Sequence, residues 1–388
     1  MQAAFIAYSL GVECGLPPNE LQDLVVAGAL HDSGAVSLRE KLATLAFEQS
    51  NPHEHAEVGW RLLAGFAPFA RAAELIRFHH VPWNAGDGAV FSGEAVPASS
   101  YILHLADRVA VLINRQREIL GQVSGIRKLI ESRRDSLFCP SCVDGFQRLA
   151  ECDGFWLDAG SPGVCVMLVR RVRLESFMLD MDTLAELGIV FARIVDFRSR
   201  FTATHSRGVS AGAEALGRLA GMSTADRRRL LVAGLLHDLG KPAVPAECLE
   251  KPAGLTPEEF NVMRSHSLYT HRCLEPIAGL DTIRMWASCH HERLDGTGYP
   301  FHYCAESLSL GARIMAVADV STALTEDRPY RVGMPREGTT RIAQRMAKEG
   351  ALDGDVVSLL IRSFDDVDDA RVAAQAASLR EYEYVVRG

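Results

Sequence analysis

The chain has 388 residues, 48% of them hydrophobic and 23% charged, with a formal net charge of −8. That length accommodates two buried cores, and the acidic balance excludes a general binder of nucleic-acid polymers, which needs a broad basic face. Apolar stretches such as 230–236 are too short for a membrane segment, and nine scattered cysteines, an odd number, suit a reducing cytoplasm better than a disulfide framework.

The opening MQAAFIAYSLGVECGL lacks the basic start of a signal peptide. It reads as an amphipathic helix entered partway, so further sequence upstream is expected. Helical periodicity follows at 21–30, 71–78, 98–113, 184–194 and 227–236. Glycine and proline punctuate at Pro17-Pro18, Pro82, Ser161-Pro162-Gly163, 242–257 and 296–300. No run alternates convincingly as a strand, so the expected fold class is all-α. Cys139-Pro-Ser-Cys142 invites a zinc or redox reading. No second CxxC follows, however, and Phe138, Val143, Phe146 and Leu149 suit a packed helix start, so structural packing is expected.

Internal repetition organises the chain. AGALHDSGAV at 27–36 is answered by AGLLHDLGKP at 233–242, FHHVPWNAG at 78–86 by CHHERLDGTG at 289–298, and HLADRVAVL at 104–112 by AVADVSTAL at 316–324. His55 to His79 spans 24 residues, as does His266 to His290. Three matches in order at near-equal spacing predict a tandem duplication: a domain at 1–160, a helical linker at 161–187 and a second domain at 188–388.

In the second copy His205, His237, Asp238, His266, His290, His291 and Asp319 recur at helix-scale intervals. Histidine and carboxylate ligands suit Fe, Mn, Zn, Co or Ni, and a set this large exceeds the needs of one ion. Two ions bridged by a carboxylate are a common device for phosphate-ester hydrolysis, and Asp238 beside His237 fits the bridging role.

HDLGK at 237–241, HHERLDGTGYP at 290–300 and ARIMAVAD at 312–319 resemble the HD-GYP branch of the HD phosphohydrolase superfamily over about 190–370. The resemblance implies two tandem helical HD-type domains, a centre of two or three ions, often iron or manganese, and hydrolysis of a bacterial cyclic dinucleotide, with cyclic di-GMP ranked first. It implies the seven ligands just named. Relatives with three metals carry Glu four residues before the first ligand His; here Phe201 stands there, so two ions are expected.

Asp238 and Lys241 are the expected catalytic residues, the lysine offsetting charge on a non-bridging phosphate oxygen. Asp295, Gly296, Gly298, Tyr299 and Pro300 form the recognition loop that the resemblance implies. Arg313, Arg328 and Arg331 suit the second phosphate or a guanine edge. The first copy keeps His31, Asp32, His55, His79, His80 and Asp107 as a candidate metal set, but Ala35 replaces the lysine and the glycine-tyrosine-proline loop is gone. It is expected to regulate or dimerise rather than catalyse, which leaves room for a homodimer and a signalling partner. The competing readings are a 3',3'-cyclic GMP-AMP phosphodiesterase, an inactive cyclic-dinucleotide receptor and a mononucleotide hydrolase. The glycine-tyrosine-proline loop disfavours the last.

Overall fold

A computed structural model describes the whole chain except residues 37–39, 41, 43, 48–51, 173–177, 198–201, 250, 252, 328–331 and 388. Phe201, Arg328 and Arg331 therefore lie outside the described residues. The architecture is all-α. Among the described residues the single sheet is a two-residue hairpin, Val90–Phe91 against Glu94–Ala95. Its turn residues Ser92 and Gly93 both have positive φ, as a tight two-residue hairpin turn demands. No described helix is long and apolar enough to cross a membrane.

The chain divides into two compact units, Met1–Phe177 and Met178–Gly388. In the first, α1 (Gln2–Glu13) is buried around most of its circumference by Ala3, Ala4, Phe5, Ile6, Ala7 and Leu10. It packs on α2 (Pro18–Leu30) and on α5 (Ala98–Leu112), while α3 (Pro52–Leu63) and α4 (Ala70–Phe78) pair beside them. Helices α6 (Val123–Ser132), α7 (Pro140–Leu149), α8 (Asp153–Gly160) and α9 (Val164–Arg171) complete the unit. Residues 161–187, expected as the linker, hold α9, which buries Val164 and Leu168 against α1 and α8, and the start of α10 (Met181–Asp196) of the second unit.

The second unit is centred on α11 (His205–Leu219), α12 (Thr224–Leu236) and α16 (Leu310–Thr325). Val209, Ala213 and Leu216 of α11 fall on one helical face and are fully buried. Helix α13 (Ala246–Leu249) leads to α14 (Pro257–Leu274), whose start is fixed by a reciprocal Thr256–Glu259 capping box. Helices α15 (Asp281–Ser288), α17 (Arg336–Lys348), α18 (Gly354–Arg362) and α19 (Phe364–Arg387) follow.

The sequence repeat has a packing cause. A Cβ on Gly28 would lie 2.6 Å from the Ala4 backbone, and one on Gly234 would lie 2.5 Å from the Ser210 backbone. Both glycines let the helix that leads into the HD turn lie directly on its neighbour. The turn glycines repeat the device, since a Cβ on Gly34 or Gly240 would stand 2.0 Å from the carbonyl oxygen of His55 or His266. Each HD turn is thereby held against the helix that carries the next histidine. Gly234→Ala should cost about 1–3 kcal/mol through overpacking. Gly254→Ala, where a Cβ meets nothing within 4 Å, should change stability little. Chemical denaturation of both variants checks the contrast.

Candidate metal centre and active site

Helix geometry turns five separate segments of the second unit onto one point. His205 opens α11, His237 caps the end of α12, His266 lies within α14, His290 and His291 follow α15, and Asp319 lies within α16. The HD turn is fastened to α14 by Thr270, whose hydroxyl donates to the His237 carbonyl (2.9 Å) and accepts from Gly240 N–H (3.0 Å).

Two ligand groups result, His205–His237–Asp238 and His266–His290–His291, each close enough to hold a metal ion. Asp238 reaches both: Oδ2 is 3.2 Å from His237 Nε2 and 3.9 Å from His205 Nε2, and Oδ1 is 3.6 Å from His266 Nε2. Asp319 repeats this, with Oδ1 3.3 Å from His205 Nε2 and Oδ2 3.9 Å from His291 Nδ1.

The imidazole protons show that the set fits a cation. Nδ1 of His237, His266 and His290 lies 2.6–2.7 Å from the carbonyl oxygens of Gly234, Met263 and Ala287. A carbonyl only accepts, so each Nδ1 carries a proton, and in the neutral ring Nε2 is left as a lone pair. The Nε2 atoms of His266 and His290 face each other at 3.2 Å. Ser267 Oγ, 3.3 Å from His266 Nε2, can donate to one of them, and the other is left for a donor or a cation. Burial holds His290 well below the usual histidine range and brings His291 down to about 4, so protonation does not supply it. The carboxylates stay ionised: burial opposes this, but His237 and Lys241 hold Asp238 well below its ordinary range, and His205 and His291 do the same for Asp319. Imidazole nitrogens converging on buried, ionised carboxylates are the donor set that a divalent transition metal takes, the metal replacing ring protons.

The structure brings Lys241 to Asp238, one turn on, with Nζ hydrogen-bonded to Oδ2. Burial opposes its charge, but Asp238 raises its pKa, so the ammonium persists. The Tyr299 ring lies 4.9 Å from that of His291, tilted by 38°, and the Tyr299 N–H donates to the His291 carbonyl. Its peptide bond to Pro300 is cis.

Several expected substrate contacts have other work. Arg313 is committed to the fold: Nη1 pairs with Asp353 at 2.9 Å, while Nε and Nη2 donate to the Leu308 and Ala305 carbonyls. All three donor nitrogens are occupied, so it is not a free fork for a phosphate. Asp295 is tied to Arg293 and Thr297 within its own turn. Gly296, at φ 76°, serves that turn. The close backbone approach at Gly298 is to Glu292 and Arg293, 2.3–2.6 Å from a notional Cβ, rather than to a ligand.

Four residues that the structure places around the site are absent from the sequence expectations. Glu326 Oε2 lies 3.0 Å from His205 Nδ1 and, with Asp319 and against burial, pushes His205 up to about 10. Buried Asp196 accepts from Ser206 N–H at 2.9 Å at the start of α11. Buried Glu292 accepts from the N–H groups of Phe301 and Tyr303 and so anchors the loop. Arg264 lies 4.9 Å over the Tyr299 ring. The acidic residue after HH was visible as a signal for Glu292; no spacing marks the others.

The first unit repeats the centre with substitutions. His55, His79 and His80 form a group that can hold a metal ion. His31 Nε2 is 3.3 Å from both Asp32 and Asp107, and His31 and His79 again direct Nδ1 at helix carbonyls. His79 Nε2 is buried without a hydrogen-bond partner. Where the second unit has Val320, buried Arg108 pairs with Asp107 and donates to the carbonyls of Thr44, Ala46 and Phe47. The segment replacing the recognition loop is held elsewhere, through Trp83, Asn84 and Ala85 N–H to the Leu137, Ser136 and Asp135 carbonyls. The residue matching Ser210 is Ala4, met by Gly28 as Ser210 is met by Gly234.

Glu292→Ala should release the loop. Loss of a charge-assisted bond of about 1.5–3 kcal/mol should speed amide exchange at Phe301 and Tyr303 by about 10–100-fold, measurable by hydrogen exchange with mass spectrometry.

The HD domain family matches residues 1–112 and again 189–356. A 3'3'-cGAMP-specific phosphodiesterase of Vibrio cholerae is 29% identical over 371 residues, 93% of this chain and 86% of that protein. A second from the same organism is 32% identical over 65% of this chain and 54% of its own length. A cyclic di-GMP phosphodiesterase of Pseudomonas aeruginosa is 39% identical over 42% of this chain and 39% of that protein. The crystal structure of a V. cholerae cyclic GMP-AMP specific phosphodiesterase, V-cGAP3, shares the fold with a TM-score of 0.63, covering 94% of this chain and 92% of that one at 24% identity. Two HD matches in tandem, with HDLGK and HHERLDGTGYP in the second, place the chain in the HD-GYP branch of the HD phosphohydrolase superfamily, with a degenerate HD domain preceding the HD-GYP domain.

Proposed function

We propose that the second unit is a metal-dependent phosphodiesterase acting on 3',3'-cyclic GMP-AMP. The observation that carries the substrate is extent. Similarity to a relative named as specific for that dinucleotide runs over both units, whereas the cyclic di-GMP relatives from P. aeruginosa and Xanthomonas campestris match 165 and 186 residues. The sequence alone ranks cyclic di-GMP first; full-length similarity supports the other order.

The geometry supports a binuclear centre. His205, His237 and Asp238 would hold one divalent ion, His266, His290 and His291 the other, with Asp238 and Asp319 reaching across; iron and manganese suit this donor set. When bound, such ions supply Lewis-acid charge stabilisation and lower the pKa of the attacking water. The chain's own residues orient the rest. Asp238 fixes the spacing of the two groups, and Lys241 places an ammonium where a non-bridging phosphate oxygen gathers charge. Tyr299, supported by Arg264, offers a ring beside His291. Water oxygen joins phosphorus as the ribose 3'-oxygen leaves, opening the ring to a linear dinucleotide.

Product chromatography after incubation with Mn or Fe should show linearisation of 3',3'-cyclic GMP-AMP at higher kcat/KM than cyclic di-GMP. Asp238→Ala should abolish turnover in a folded chain. Lys241→Ala should lower kcat by about 10²–10³-fold with little change in metal content. Binding without turnover under several metals would instead indicate a receptor.

The orphaned Nε2 of His79 favours metal in the first unit also. Elemental analysis should find less metal in a His79→Ala, His80→Ala double variant than in the wild-type chain, with turnover retained.

A further inference from the structure

In the first unit three thiols, Cys14, Cys139 and Cys142, line a cavity of about 650 Å³ whose apolar wall includes Trp83, Tyr101 and Ile102. The charged groups at its edge are largely spoken for: Arg148 pairs with Glu13 at 2.6 Å and Asp144 with Arg134 at 2.8 Å. The thiols are the reactive groups left facing the space.

Cys139 is the N-cap of α7 and Cys142 lies one turn on, so the two side chains stand together. Ser141 Oγ is 3.1 Å from Cys139 Sγ, and both thiols line the same cavity. Among the described residues, Cys14, Cys139 and Cys142 do not converge closely enough to form a metal-holding group, which disfavours zinc. Pure packing, the expectation from sequence, leaves the thiol pairing and the cavity unexplained.

We propose that Cys139 and Cys142 form a redox-active dithiol, oxidised to an intramolecular disulfide by a hydroperoxide small enough to enter this cavity. The Cys139 thiolate attacks the peroxide, giving a sulfenic acid and releasing hydroxide. Cys142 sulfur then attacks that sulfur, the S–O bond breaks, and the hydroxyl leaves as water with the Cys142 proton. The net change is two thiols and one hydrogen peroxide to one disulfide and two waters. The pair is chemically unequal in the sense this sequence needs. Beside Cys142 and Ser141 at the start of α7, the Cys139 thiol is held below the ordinary thiol range, while its pairing with Cys139 and burial push Cys142 up.

Exposed Cys152, Cys165, Cys273 and Cys304 serve as controls within the same molecule. Full-length reduced protein is treated with hydrogen peroxide at about pH 6.5, below the ordinary thiol range. Remaining thiols are then alkylated and the peptides mapped by mass spectrometry. The expected result is loss of the Cys139 and Cys142 thiols at least about tenfold faster than the four exposed ones, with a 139–142 disulfide. In Cys142→Ser the Cys139 sulfenic acid should persist and react with dimedone; in Cys139→Ser, Cys142 should stay reduced. Oxidation of Cys139 no faster than Cys152, or a disulfide joining Cys14 to either partner, overturns the proposal. The wild-type kinetics and mapping decide even where a variant fails to fold.

Discussion

Asp238 is 2% exposed, and its charge is compensated by His237 at one oxygen and by Lys241 one turn along, with His205 farther off and His266 facing the other oxygen. A carboxylate taken out of water this completely is costly unless its neighbours satisfy it. Much of the second unit follows from that requirement. The small residues Gly234 and Gly240 bring α12 and the HD turn close to α11 and α14, and Thr270 fastens the turn. The result is two groups of imidazole nitrogens, each reached by one Asp238 oxygen.

The first unit shows what the same scaffold does when that compensation is rearranged. It retains the helix approach at Gly28, the turn glycine Gly34 and the histidine group. Ala35 supplies no ammonium beside Asp32. Arg108 neutralises Asp107 and is anchored to three carbonyls at 44–47. The loop after His80 is bonded to the 135–137 backbone rather than to the histidines. Ligand geometry survived the divergence, while the groups that would meet a phosphate did not.

The duplication, the helical class and the histidine and aspartate sets were legible because helix periodicity fixes them: equal spacing in sequence produced equal placement in space. Contacts of the outer layer were not. Glu326 meets His205 across 121 residues, and Asp196 reaches α11 from the preceding helix, with no spacing rule to mark either. Arg313 looked like a free fork because its partners, Asp353 and two carbonyls, are set by the folding of loops. Gly298 of the expected recognition loop makes room for the chain itself, which its place in the sequence does not reveal. Cys139 and Cys142 were legible as a helix start, but the cavity before them depends on Cys14, Trp83 and Tyr101 arriving from other elements.

The central claim, that one buried carboxylate joins two histidine groups into a single metal centre, is tested most directly by anomalous X-ray diffraction from crystals grown with manganese. Two peaks in the second unit flanking the Asp238 carboxylate, one among His205 and His237 and the other among His266, His290 and His291, are predicted. A single peak, or metal bound without contact to Asp238, would contradict the account.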